Sequence, residues 1–127
     1  MNYQDIYAVL TPQQMKLSRA TGLQRLNTEG SDQQYLFLKL NRDHAERVAH
    51  DWTAKQHGAA YVLRLSVSEN YLQSCERMSV AYAEHEEYKI AVADLATLHW
   101  HMQHAMSVVT VYWDPKPNAQ REIVSFA

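Results

Sequence analysis

AAYVLRLSV, residues 59–67, alternates along its whole length. In an extended chain Tyr61, Leu63, Leu65 and Val67 point one way, and Val62, Arg64 and Ser66 point the other. Successive side chains leave a pleated backbone on opposite faces, so this period of two predicts a strand. Upstream, DIYAVL (5–10) predicts another, from its branched and aromatic content. TPQQ (11–14) follows it as a helix start. Thr11 is an N-cap, Pro12 suits the first helical position, and Gln14 completes a capping box, with Leu10 and Met15 placed as a hydrophobic staple. Gly22 is placed to end that helix in a left-handed conformation, which predicts a helix from about Pro12 to Thr21.

Residues 23–34 are polar and rich in turn formers, a loop. YLFLKL (35–40) predicts a strand, and Asn41 caps a second helix in which Ala45, Val48, Ala49 and Trp52 form the inward stripe at i, i+3, i+4 and i+7. QHG (56–58) ends it. Beyond residue 67, Ser68 caps a short turn of helix over ENYLQS, and residues 75–85 fit either a loop or an irregular strand. EEYKIAV (86–92) and SVVTVYW (107–113) predict strands with a helical turn, ADLATL, between them. DPKPN (114–118) predicts a turn and REIVSF (121–126) a final edge strand. The order is β-α-β-α-β and then mostly β, which predicts an α+β fold in one domain, residues 1–127.

Composition narrows the function. Hydrophobic content of 46% with 20% charged residues is that of a globular chain. Twelve basic residues against fourteen acidic ones, with no run of like charge, argue against general nucleic-acid binding, which needs a basic patch. No stretch approaches the ~20 apolar residues of a membrane helix, and the N-terminus carries no secretory pattern, so a cytoplasmic location is the default expectation. Cys75 is the only cysteine, which excludes an internal disulfide and a cysteine-rich zinc site. There is no G-x-S-x-G, P-loop, G-x-G-x-x-G or H-E-x-x-H pattern.

Two clusters invite a chemical reading. LHWHMQH (98–104) holds three histidines, but neither a helix nor a strand turns His99, His101 and His104 to one side. No metal ligand set is predicted there; a connection between strands, with Trp100 or Met102 tucked inward, is the expectation, and an irregular turn toward Glu84, His85, Glu86 or Glu87 is the alternative. Glu84-His85-Glu86-Glu87 places carboxylates at a strand entrance, where one could hold a raised pKa or grip a ribose hydroxyl, although composition alone favours a charged, solvated strand end. In a strand that starts at Glu86, Glu87 faces away from Glu86 and Tyr88. The eight tyrosines either complete the core or line a pocket for a flat ligand.

IYAVLTPQQMKLSRATGL (6–23), YLFLKLNRDHAERVAHDW (35–52), YVLRLSV with ENYL, and HEEYKIAVADL (85–95) together resemble the segment order of small ADP-ribosyltransferase-like domains, over about residues 6–112. That group includes NAD-dependent transferases, RNA 2′-phosphotransferases and many small bacterial proteins. The resemblance implies a split, curved, mixed or antiparallel sheet with two early helices and NAD in a central cleft. It places Tyr7 as the first-strand aromatic, Thr11 as the threonine after it (one position later than the family's spacing), and Tyr35 facing the nicotinamide. Glu87 becomes the catalytic glutamate that orients the ribose as an oxocarbenium-like transition state forms. The family's first-strand histidine, which anchors NAD, is Ala8 here. Glu84 and Glu86 imitate the two-glutamate loop of the arginine-modifying branch, but YLFLKL does not supply that branch's Ser-Thr-Ser-type strand. The resemblance with these departures implies a binding or regulatory module for a nucleotide-like ligand or a protein partner. The alternative is an active NAD-dependent ADP-ribosyl- or RNA 2′-phosphotransferase. A histidine-based metal protein ranks third.

Overall fold

The computed structural model describes residues 2–28, 33–79 and 85–114. Its elements run β1 (Tyr3–Leu10), α1 (Pro12–Arg19), β2 (Tyr35–Lys39), α2 (Arg42–Val48), a π-helical turn (Ala49–Thr53), α3 (Ala54–His57), β3 (Ala59–Ser68) and α4 (Glu69–Gln73). Then come β4 (Glu76–Ser79), β5 (Glu86–Ala91), a 3₁₀ turn (Val92–Asp94), α5 (Leu95–Trp100) and β6 (Met102–Trp113). The strands form one open antiparallel sheet in the order β4-β5-β2-β1-β3-β6, and the fold is α+β.

The sheet is unevenly joined. β1 and β3 pair over eight register positions, from Tyr3↔Ser68 to Leu10↔Tyr61, and β2 and β5 over five. Between β1 and β2 a single register pair, Tyr7↔Lys39, connects the two halves. The sheet is therefore continuous, with a narrow seam, where the resemblance implied a split one.

The alternation of β3 sorts two cores. Leu63, Leu65 and Val67 join Ile6, Ala8 and Leu10 of β1 on one face, covered by Met15 of α1, Leu72 of α4 and Leu98 of α5. Each large side chain fully buried there contributes about 1.5–3 kcal/mol relative to exposure. The other face is built from small residues: Ala60 and Val62 of β3 meet Ala45, Ala49 and Ala54 of the α2–α3 arm, with Tyr7 and Val9 partly buried beside them.

The helix ends follow local chemistry. The Gln14 N–H donates to Thr11 Oγ1 at 3.2 Å and the Thr11 N–H to Gln14 Oε1 at 3.1 Å, the reciprocal capping box. Leu10 and Met15 are both buried beside it. Gly22 takes φ +69° after α1, and Gly58 takes φ +86° to end α3, where its N–H donates to the Ala54 carbonyl at 2.8 Å.

Two expectations are corrected. Trp52 is not in the core: it is 67% exposed. A π turn advances less per residue than an α-helix, so across Ala49–Thr53 the inward position slips from Trp52 to Ala54. The arm lies against the sheet through alanines, and that close approach leaves no room for an indole. Of Trp100 and Met102, one of which was expected to turn inward, Met102 packs against the core and Trp100 is 83% exposed. LHWHMQH, expected as a connection between strands, is instead the end of α5 running into β6, which begins five residues before the expected Ser107. Residues 75–85 resolve in part, with β4 over Glu76–Ser79; Glu84, the DPKPN turn after Asp114 and REIVSF lie outside the described residues.

The fold separates the two apolar positions. Leu38→Ala, in the buried core, is expected to lower unfolding stability by about 2–5 kcal/mol, whereas Trp52→Ala shifts it by no more than about 0.5 kcal/mol. Urea denaturation of both variants checks the pair; a large loss in Trp52→Ala would return that side chain to the core.

Candidate functional site

β1 and β2 pair at Tyr7↔Lys39 and nowhere further toward the start of α1. Where they part, a cleft of about 720 Å³ opens. Its walls are Val9 and Thr11 from the end of β1, Gln13 and Gln14 from the start of α1, and Tyr35 and Leu36 from the start of β2. Trp52, Thr53, Gln56 and His57 of the π turn and α3 close one side, and Thr28, Gln33 and Val92 complete it. The π turn thus delivers Trp52 to the cleft at the point where it withdraws it from the core.

The described lining of the cleft is polar without carboxylate, ammonium or guanidinium groups. Its described side chains offer amides, hydroxyls, one imidazole and two exposed rings, with no Asp, Glu, Lys or Arg among them. Gln14 already spends its carbonyl oxygen on the Thr11 N–H, which leaves its amide as a donor. One face of Tyr35 is taken by Lys89, whose Nζ lies 4.2 Å from the ring centroid in a cation–π contact.

The four residues singled out in the sequence divide into two pairs. Thr11 and Tyr35 line the cleft together. Tyr7 and Glu87 instead flank Lys39, the register partner of each, on the same face at the closed end of the seam. Tyr35 starts β2 and Lys39 ends it, a separation of about 13 Å along an extended strand. Glu87 is engaged: its Oε2 lies 2.9 Å from Lys39 Nζ, with both side chains largely shielded at 17% and 11% exposure. Lys39 Nζ also donates to the Phe37 carbonyl at 2.9 Å. Glu86 pairs with Arg77 of β4 at 2.5 Å, and Ala8 is buried in the opposite core.

Beside that ion pair lies a feature that sequence reasoning missed. His44, in the first turn of α2, is buried and stacks on His85, with ring centroids 4.5 Å apart and planes 19° from parallel. Nδ1 of each ring is buried without a hydrogen-bond partner. Face-to-face rings cannot aim in-plane lone pairs at a common point, and among the described residues no group of His, Cys, Asp and Glu is arranged to hold a metal ion. Burial pushes the pKa of His44 below the ordinary imidazole value; Glu87 opposes that shift, and His85, Lys39 and Arg47 add to it. The signal in the sequence was Lys39, a charge inside the otherwise apolar YLFLKL, which needs a carboxylate partner.

The three clustered histidines go separate ways. His99 is half-buried and accepts the Leu26 N–H at 2.9 Å through Nε2. His101 stacks on Tyr71 at 4.6 Å between centroids. His104 is exposed with a positive φ of 68°. No protein-family model, curated protein or solved structure matches the chain.

Two outcomes follow. Glu87→Gln strands the shielded Lys39 ammonium and is expected to cost about 3–5 kcal/mol of stability, with Lys39→Met plus Glu87→Leu recovering much of it; a Glu87→Gln protein as stable as wild type overturns the structural role of the pair. For His44, the folded-state pKa lies below the unfolded value of 6.5. The unfolded chain therefore takes the proton first. Stability is complete above about pH 6.5 and falls as pH drops toward the folded-state pKa. Urea midpoints between pH 7.5 and 5.5 check this, and His44→Phe is expected to flatten the decline.

Proposed function

We propose that this domain is a binding module that takes a nucleotide-like small molecule by its flat ring in the cleft between Tyr35 and Trp52, without catalysing its turnover. The observation that carries the reading is the lining itself. Two exposed aromatic rings and a set of neutral hydrogen-bonding groups face the cleft, while no described lining residue is a carboxylate. Aromatic faces stack on planar heterocycles, and amides and hydroxyls select among their edges. The narrow β1–β2 seam, with the cleft at its end, supports the ADP-ribosyltransferase-like resemblance, because Thr11 and Tyr35 both reach that cleft.

The chemistry of NAD fits this site in part. A nicotinamide or adenine ring matches Tyr35 and Trp52, but a pyrophosphate meets no cation among the described lining residues. The residue for the carboxylate role, Glu87, is held by Lys39 at the far end of β2. An oxocarbenium-like centre needs a free, directed carboxylate within hydrogen-bond reach. The binding reading therefore ranks above the transferase reading.

Intrinsic fluorescence tests it. In a Trp100→Phe, Trp113→Phe background, Trp52 is the remaining indole. Titration with adenosine, nicotinamide, ADP-ribose and NAD is expected to change its emission saturably, and Tyr35→Ala is expected to weaken binding about tenfold, the loss of a ring contact worth about 1–1.5 kcal/mol. Absence of binding by all four in calorimetry leaves a protein partner as the ligand. Transfer of label from NAD to a lysate component, abolished in Glu87→Ala, would replace the binding module with an active ADP-ribosyl- or RNA 2′-phosphotransferase.

A further inference from the structure

We propose that His99 is a pH-operated latch on the wall of the cleft: its neutral ring holds the segment from Leu23 to Thr28 in place, and protonation releases that segment. The control of ligand binding rests on the cleft reading above; the latch itself does not.

The argument starts from the direction of one hydrogen bond. The Leu26 backbone N–H can only donate, so Nε2 of His99 must be the acceptor in the 2.9 Å contact. The ring is thus the neutral tautomer with its proton on Nδ1. A second proton would turn Nε2 into a donor facing a donor, and the bond would be lost and replaced by repulsion. Few side chains can make that change in the physiological range, and a serine or amide in the same place could not.

The bond anchors a strap with other ties. The Met106 N–H donates to the Leu23 carbonyl at 2.8 Å, and the Asn27 N–H donates to Ser18 Oγ at 2.9 Å. Leu26 is buried in the larger core. Thr28, two residues beyond Leu26, lines the cleft. His99 therefore joins α5 to the cleft wall across a sequence separation of 73 residues. The charged group that acts on the ring is Arg25, on the strap itself. Burial first, and Arg25 second, hold the ring below the ordinary imidazole value, which keeps the latch closed at neutral pH.

Backbone hydrogen exchange of the full chain, read residue by residue between pH 8 and 5, tests the latch. Protection of the Leu26 amide, relative to its intrinsic rate, is expected to start falling as pH drops below about 6.5, the ordinary value that the released imidazole regains, by up to about tenfold per pH unit until the latched ring itself takes the proton, the limit for release coupled to one proton. Amides of β3, such as Leu65, report global unfolding and are expected to fall only as far as the acid response of His44 lowers overall stability; His44→Phe is expected to flatten them and leave the Leu26 decline, which separates the latch from that response. His99→Gln keeps an acceptor at every pH and is expected to flatten the Leu26 profile. Arg25→Gln, at an exposed position, is expected to raise the His99 midpoint. A wild-type Leu26 profile parallel to that of β3, or one unchanged in His99→Gln, overturns the latch. With adenosine as the probe, affinity is expected to weaken as Leu26 opens. Equal affinity at pH 8 and pH 5 despite opening overturns its control of the cleft, and no adenosine binding at pH 8 with normal Leu26 opening removes the cleft reading while the latch stands.

Discussion

The pairing of Lys39 with Glu87 is the constraint around which the two halves of the sheet are arranged. β4, β5 and β2 form one half and β1, β3 and β6 the other, and Lys39 is the single β2 residue in register with β1. A lysine so shielded is costly unless a carboxylate meets it, and Glu87, directly opposite on β5, does so at 2.9 Å. The pair locks β2 to β5 at the same level where β2 touches β1. Had the strands paired further toward α1, Val9 and Thr11 would lie against the first residues of β2 and the cleft would be closed. Its existence is thus a consequence of a seam that is one register pair long.

The second face explains how an aromatic residue reaches that opening. Alanines at 45, 49, 54 and 60 bring the helical arm close to the strands, and a close approach has no space for indole. An unbroken α-helix would nonetheless point Trp52 inward. The π turn resolves the conflict by moving Ala54 into the inward position and leaving Trp52 on the cleft side. Packing and site are in this way products of the same irregularity.

Much of this was legible from residue order. The capping box at Thr11 and Gln14, the left-handed ends at Gly22 and Gly58, and the alternation of residues 59–67 all act through local chemistry, so local patterns report them. The π turn did not show, because Ala45, Val48, Ala49 and Trp52 satisfy the ordinary helical period and only the tightness of the opposing sheet decides against it. The start of β6 was hidden in a similar way. His99 ends a helix and His104 sits at a positive φ within a strand whose register is shifted against β3, so no single period spans the stretch. Of the candidate residues, Thr11 and Tyr35 could be placed together from strand ends alone. The separation of Glu87 from them depended on the register of three strands, which no single segment encodes.

Electrostatics decides what the separation means. A carboxylate can stabilise a developing positive charge only to the extent that it is not already neutralised. At the seam, Glu87 faces a fixed lysine a hydrogen bond away, and the nearest imidazole, His44, is held toward its neutral form chiefly by burial. A cationic transition state brought there would compete with Lys39 for the same oxygens and would first have to displace a partner that no longer has water to return to. The described lining of the cleft presents the opposite situation, with the Trp52 indole, the Tyr35 ring that Lys89 covers on one face, and amides and hydroxyls that cost less to desolvate than charges. The proposed recognition of an uncharged ring draws on the cleft, and the structural pairing of charge lies at the seam. The chain keeps the two apart by the length of β2.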